Sequence, residues 1–241
     1  MRLDKFLSHT GFGSRKEVKE LLKKAIVEVN QQRIKDGKFA VKETVDTVTV
    51  DGEELHYQLY YYYLLHKPQG VISATVDKQH RTVIDLLAEQ DHRADLFPVG
   101  RLDKDTTGLL VITNDGQFSH SLLSPKKHVP KRYWAKIQGI VTETDQAEFT
   151  KGIMLSGTEE CKPAILEIIK TDLGTETSEI RVTITEGKYH QVKRMFEAVG
   201  KEVLVLHRET MGGLTLDPEL SVGEYRELTE VERELLQKKE V

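Results

Sequence analysis

In "SRKEVKELLKKA" the residues Val18, Leu21, Leu22 and Ala25 recur at the spacing of one helix face, while Lys16, Lys19 and Lys23 fall on the opposite face. Ser14, with Glu17 three positions later, completes a capping box, so a helix opens at this point. A shorter amphipathic helix is expected before it, with Leu3, Phe6 and Leu7 inward and Arg2 and Lys5 outward. "AIVEVNQQRI" and "VDTVTVDGEEL" then alternate apolar and polar positions around turn residues, which is the period of strands. Two small helices packed on a hairpin-rich sheet are therefore expected over residues 1–58.

The texture changes near residue 60. From "YYYYLLHKPQGVISAT" onward, aromatic and β-branched runs predict strands over 60–66, 109–113, 132–138, 164–170, 179–185 and 202–207, with short helical patterns between them. Alternation sends half of the four tyrosine rings into a core and half onto a sheet surface or a domain seam, so packing accounts for them before base stacking does. "HQVKRMFEAVG" reads as a helix, with Val192, Met195, Phe196 and Val199 on one face and Gly200 placed to end it. The expected fold class is α+β: a small two-helix β module over 1–58, then a larger domain over 59–241 built on a mixed or antiparallel sheet.

Composition narrows the class of protein. The 241 residues are 38% hydrophobic and 31% charged, with no apolar leader behind "MRLDKFLSH" and no run approaching eighteen apolar residues, so a cytoplasmic protein is expected and no membrane partner. The single cysteine, Cys161, has no thiol neighbour, and the nine histidines show neither HExxH nor a close pair on one helix face, so no metal or other cofactor is expected.

The net charge of −4 hides an asymmetry. Residues 1–42 carry eleven Lys/Arg against five Asp/Glu, while the remainder carries 24 against 34. A solvated basic face is the ordinary explanation of a lysine stripe. It weakens where most of a segment's positive charge gathers on two helices beside Gly11 and Gly13, because clustered Lys/Arg on a phosphate backbone release counterions. Nucleic-acid contact through Arg2, Lys5, Arg15, Lys16, Lys19 and Lys23 is therefore favoured.

Candidate chemistry centres on "GRLDKDTTGLLVITNDG". Leu109 to Ile112 form a core strand bounded by glycine and an Asn-Asp-Gly turn signal, which puts Asp103 at the mouth of a strand. Partly buried carboxylates need partners and are enriched where proteins do chemistry, yet on spacing alone a turn-capping aspartate is the more frequent case. Two further segments concentrate polar residues outside the apolar pattern: "PKRYWAKI", with Lys131, Arg132 and Tyr133, and "EGKYHQVKRM", from Glu186 to Met195. No Walker lysine, G-x-G-x-x-G or G-x-S-x-G is present, which excludes nucleotide cradles and the nucleophile elbow of serine hydrolases. A two-carboxylate glycosidase would need an acid opposite Asp103, and Asp105 is a candidate only by proximity in sequence.

"GRLDKDTTGLLVITNDG" resembles the signature of the pseudouridine synthases, and "HKPQGVISA" looks like their lysine-proline segment. The similarity continues through "KPAILEII", "EGKYHQVKRMFEAVG", "LHRETMGGLTLD" and "GEYRELTEVE", covering residues 60–232, while the first thirty residues look like the S4 RNA-binding domain that many of these enzymes carry in front. The resemblance implies an enzyme of the small-subunit ribosomal branch that isomerises one uridine of 16S ribosomal RNA, the equivalent of uridine 516, on naked RNA or an assembling small subunit, as a monomer and without a cofactor. It implies that Asp103 is the catalytic carboxylate, acting on a uridine flipped out of its RNA. Tyr133 is implied to stack on the flipped base, a sheet-surface aromatic being its alternative. Lys193 is implied to pair with and orient the aspartate, with Arg194 as close competitor on the same helix side and otherwise an RNA-binding residue. Arg101 is implied to fill the gap left by the flipped nucleotide, a structural ion pair being its alternative. A large-subunit (23S) enzyme of the same branch, or a non-catalytic RNA-binding assembly factor, remain the alternatives.

Overall fold

The computed structural model describes residues 1–238 apart from 44, 56, 125, 156 and 158. Its contacts divide the chain into two compact units, one of Met1–Tyr61 with Leu87–Leu96 and one of Tyr62–Leu86 with Phe97–Val241. No helix among the described residues is long and apolar enough to cross a membrane.

The first unit holds α1 (Leu3–His9), α2 (Arg15–Lys24), β1 (Val27–Val29), β2 (Gln32–Arg33), β3 (Val48–Val50) and β4 (Glu53–Leu55), the strands pairing antiparallel in the order β2-β1-β3-β4. Ser14 and Glu17 form the reciprocal capping box that the sequence predicts. Leu3, Phe6, Leu7, Val18 and Leu22 are buried with Val27, Val29 and Val48 in one core, and Leu21 packs at its margin. The segment Leu87–Leu96 joins this unit through Arg93, whose Nε donates to the His9 carbonyl at 2.9 Å and whose guanidinium lies 4.8 Å from the centre of the Tyr61 ring.

The second unit is built on β5 (Tyr62–Lys67), β6 (Phe97–Pro98), β7 (Thr107–Thr113), α3 (Gly116–Leu123), β8 (Lys131–Gln138), α4 (Glu143–Lys151), β9 (Ile165–Asp172), β10 (Thr177–Ile184), α5 (Gln191–Ala198), β11 (Glu202–Met211), β12 (Leu214–Thr215), β13 (Tyr225–Glu227) and α6 (Glu230–Leu236). Its nine-stranded sheet runs β13-β5-β7-β11-β8-β10-β9, with β6 added to β7 and β12 to β11. The recorded pairs are antiparallel except β7 with β11, so the architecture is α+β on a mixed sheet.

The six strands predicted from periodicity all form. Three short ones, β6, β12 and β13, are additions that two or three residues cannot signal. The Asn-Asp-Gly turn signal opens a helix: Asp115 accepts from the backbone N–H groups of Gln117 and Phe118 and caps α3. The tyrosine run alternates as expected, Tyr61 and Tyr63 buried and Tyr60 exposed.

At the parallel seam Gly108 pairs with Arg208, and a Cβ on Gly108 would stand 2.3 Å from the Arg208 carbonyl oxygen. Its φ of +108° excludes other residues as well. Glycine is thus required where the strand that follows the Asp103 loop meets β11.

Candidate active site

Asp103 sits four residues ahead of β7, on a loop held by backbone and buried side-chain contacts. The Thr106 N–H donates to the Asp103 carbonyl at 3.1 Å, and the reciprocal pair Leu102 N–H to Ser73 Oγ (3.0 Å) and Ser73 Oγ–H to the Leu102 carbonyl (2.9 Å) ties the loop to residues after β5. Lys67, at the end of β5 and fully buried, donates Nζ to the carbonyls of Pro68 (3.0 Å), Asp103 (2.9 Å) and Thr106 (2.8 Å). Burial pushes this ammonium down to about 8, against the pull of Asp105 and Asp103. Turn closure at Asp103 therefore falls to its backbone, and its carboxylate is free to face other side chains.

Those side chains come from the start of α5. Lys193 Nζ lies 3.2 Å from Asp103 Oδ2 and His190 Nε2 lies 3.5 Å from Oδ1. Lys193 also contacts Asp105 Oδ1 at 2.6 Å. Burial works against the Lys193 ammonium, but its hydrogen bond to Asp105 and the charge of Asp103 outweigh it, and its pKa is raised. Asp105 shows the reverse balance: burial is outweighed by the Lys193 hydrogen bond and charge, and its pKa is lowered. His190 caps α5 in the left-handed region, with φ +46°, and its ring stacks on Tyr189 at 3.8 Å.

A cleft of about 580 Å³ opens beside this cluster, lined by Arg101, Asp103, Lys131, Tyr133, His190 and Arg208 among others. A recess of about 80 Å³ shares Arg101, Asp103, Tyr133 and His190 with it and reaches Lys193. Tyr133 projects from β8 and is 7% exposed, so its ring forms part of the cleft wall rather than an open sheet surface. Arg101 is exposed at the same cleft. The arrangement offers an oriented carboxylate, an aromatic wall and several cations around a nucleotide-sized space, which suits a polar, anionic substrate inserted from solvent.

The structure thus brings together Arg101, Asp103, Tyr133 and Lys193. It does not bring Arg194 with them. That guanidinium hydrogen-bonds Glu159 Oε2 at 2.5 Å and the Tyr189 carbonyl at 3.2 Å, and it lines neither cavity. In the first unit Arg15, Lys16 and Lys19 are exposed, Lys5 likewise, Arg2 pairs with Asp4, and Lys23 with Glu20 at 2.7 Å. From sequence, Asp105 is a candidate only as a second acid near Asp103 and His190 only as a member of the polar segment Glu186 to Met195, while Lys67 and Arg208 carry no individual role. A lysine closing the apolar run "YYLLHK" and an arginine inside the strand "EVLVLHRETM" were the available signals, since a charge in a buried strand calls for a partner.

Comparison with known proteins adds to this geometry. A family model described as RNA pseudouridylate synthase matches residues 61–198, and the S4 domain model matches residues 1–46. The chain is 50% identical to a Bacillus subtilis (strain 168) protein named uncharacterized RNA pseudouridine synthase YtzG, over 98% of each chain. It is 46% identical to the ribosomal small subunit pseudouridine synthase A of Vibrio cholerae, over 96% of this chain and 97% of that one. A crystal structure of a pseudouridylate synthase superposes with a TM-score of 0.68 at 36% identity, covering 98% of this chain and 99% of the other.

Proposed function

The chain belongs to the RNA pseudouridylate synthase family, with an S4 domain in front, and on that premise we propose that it isomerises one uridine of 16S ribosomal RNA, using Asp103 as the acting carboxylate. The observation that carries this reading is the meeting of Arg101, Asp103, Tyr133 and Lys193 at one cleft, from three separate stretches of sequence. The small-subunit substrate is supported by the name of the Vibrio cholerae relative.

The glycosidic carbon of a stacked uridine is shielded, so the nucleotide is extruded before reaction. Arg101, exposed at the cleft, fills the gap left in the RNA, and the Tyr133 ring stacks on the entering base. Lys193 orients the Asp103 carboxylate toward the ribose. The N1–C1′ bond breaks, uracil turns within the cleft, and it rejoins the sugar through C5. Asp103 serves either as nucleophile at C1′ or as base toward a sugar proton. Arg2, Lys5, Arg15, Lys16, Lys19 and Lys23 hold the RNA by its phosphates.

The test is the pseudouridine content of 16S and 23S RNA in a strain lacking this chain, and in the same strain carrying Asp103→Asn. Loss of one 16S pseudouridine, restored by the wild type and not by the variant, is the expected result; purified Asp103→Asn is expected to keep RNA affinity while losing at least roughly 10³-fold in rate. Loss confined to 23S RNA would transfer the substrate to the large subunit. An unaffected Asp103→Asn would leave a binding or assembly factor in place of this mechanism.

A further inference from the structure

Strands β8 and β11 lie side by side with Tyr133 opposite Arg208 and Lys131 opposite Met211, so Lys131, Tyr133 and Arg208 share the face that walls the 580 Å³ cleft. Both cations are buried, Lys131 at 8% exposure and Arg208 at 2%. Arg208 spends its Nε on the Leu109 carbonyl at 2.7 Å, and its Nη2 has no hydrogen-bond partner among the described residues. Lys131 donates to the Val129 carbonyl at 3.1 Å. Neither forms an ion pair with a carboxylate among the described residues. Burial pushes the Lys131 ammonium down to about 8, with the Arg208 charge adding to it. Two desolvated cations facing one cleft without an ion-pair partner of their own are costly, and an anion entering the cleft beside them relieves that cost.

We propose that Lys131 and Arg208 form a buried cation pair that stabilises the uracil anion created when the N1–C1′ bond breaks. The inference rests on the functional reading above. On cleavage the bonding electron pair stays on N1, and the charge spreads over N1, O2 and O4 of the ring. If Asp103 bonds to C1′, its negative charge is consumed in the new ester; if it takes a proton from the sugar carbon next to C1′, that C–H pair becomes a C–C double bond and Asp103 becomes neutral. Either way the charge that begins on Asp103 ends on the uracil. Re-addition forms the C5–C1′ bond as the Asp103 ester leaves C1′, or as the neighbouring sugar carbon takes its proton back from Asp103, so the carboxylate is regenerated; the C5 proton then departs and N1 gains one, and the anion exists only between the two bonds. A cationic wall that is already desolvated and fixed in place acts on such a transient charge more strongly than solvent does. A phosphodiester carries the same anionic chemistry, but a guanidinium only 2% exposed favours the part of a flipped nucleotide that enters deepest, which is the base.

The test compares single-turnover rates of Lys131→Met on a uridine-containing 16S fragment and on the same RNA with 5-fluorouridine at the target, read on both as loss of the starting nucleoside through N1–C1′ cleavage, because a fluorinated C5 has no proton to release. Fluorine makes the uracil anion intrinsically more stable, so help from the protein matters less. The expected result is a loss of roughly 10²-fold on uridine and roughly tenfold or less on 5-fluorouridine, with fold stability kept or raised because an unpaired buried cation is gone. Arg208→Lys, which keeps a charge but drops the free Nη2, gives the same pattern and serves if Lys131→Met does not fold. Equal losses on both RNAs would overturn the proposal. So would weaker RNA binding with a salt slope reduced by about one, which would assign the pair to a phosphate. A wild-type chain that isomerises no uridine removes the functional reading, and this inference with it; an active wild type with equal losses removes only the inference.

Discussion

The Lys193 ammonium lies 2.6 Å from Asp105, nearer than the 3.2 Å that separates it from Asp103. One cation shared between two carboxylates is held in place by both and fully neutralises neither. Replacing Asp105 by Asn frees Lys193 to close on Asp103 and tie up the charge that acts on the ribose. The expected outcome is a rate lowered about tenfold with RNA affinity unchanged, read by single-turnover kinetics beside filter binding. A rate equal to the wild type would mean that Asp105 is only a surface partner of Lys193.

Lys67 ties three carbonyls of the Asp103 loop to β5, so Lys67→Met leaves buried acceptors without a donor. Destabilisation of about 2–4 kcal/mol and a disproportionate loss of activity are expected, measured by urea unfolding and turnover. The pH dependence has a definite sign. With its pKa lowered to about 8 from 10.5 in the folded chain, Lys67 binds more protons when unfolded across that window, so its contribution to stability rises with pH there. Lys131, lowered to about 8 as well, acts in the same direction. The Lys67→Met variant should therefore show a shallower alkaline rise rather than none.

On α2, Lys16 and Lys19 are exposed, whereas Lys23 already pairs with Glu20. Replacing Lys16, Lys19 and Lys23 together by alanine should weaken RNA binding and reduce the salt slope by roughly 2 rather than 3, with Lys23→Ala alone the mildest single change. Titration of RNA affinity against salt checks this, and an unchanged slope would assign the helix to another partner.

Near the carboxyl end Arg226 holds Glu232 at 2.7 Å, and Glu232 also accepts from the Thr229 N–H at 2.9 Å as part of the α6 capping box. The Arg226 hydrogen bond comes first among the causes that bring the Glu232 carboxyl down to about 2 from 4.5. A carboxyl lowered in the folded state contributes stability that is complete above about 4.5 and lost as pH falls through about 2. Glu232→Gln should cost about 1–2 kcal/mol at neutral pH, and its melting curve should converge with the wild type toward pH 2.

Much of the fold was legible locally. The Ser14–Glu17 capping box and the apolar stripe of α2 stand where the pattern places them, and α5 ends as expected, with Gly200 at φ +73°. The helix after Asn114-Asp115-Gly116 was not legible, because an aspartate that turns a chain and one that caps a helix accept from the same nearby N–H groups. Arg208 reads as an ordinary strand charge and Lys131 only as one of the polar residues of "PKRYWAKI", since burial of a strand face depends on what packs against it.

The sequence by itself determined the elements, the carboxylate at the strand mouth and the residue types around it, because capping, alternation and helix period act over a few neighbours. Only the tertiary structure decided which charges meet. Lys193 and Arg194 are adjacent on α5 and their side chains leave it about 100° apart, a separation the helix period sets. Which one faces Asp103 and which one faces Glu159 depends on how α5 is rotated as it packs through Val192, Met195 and Phe196. That rotation is settled by buried contacts with distant strands, and no spacing along the chain contains it.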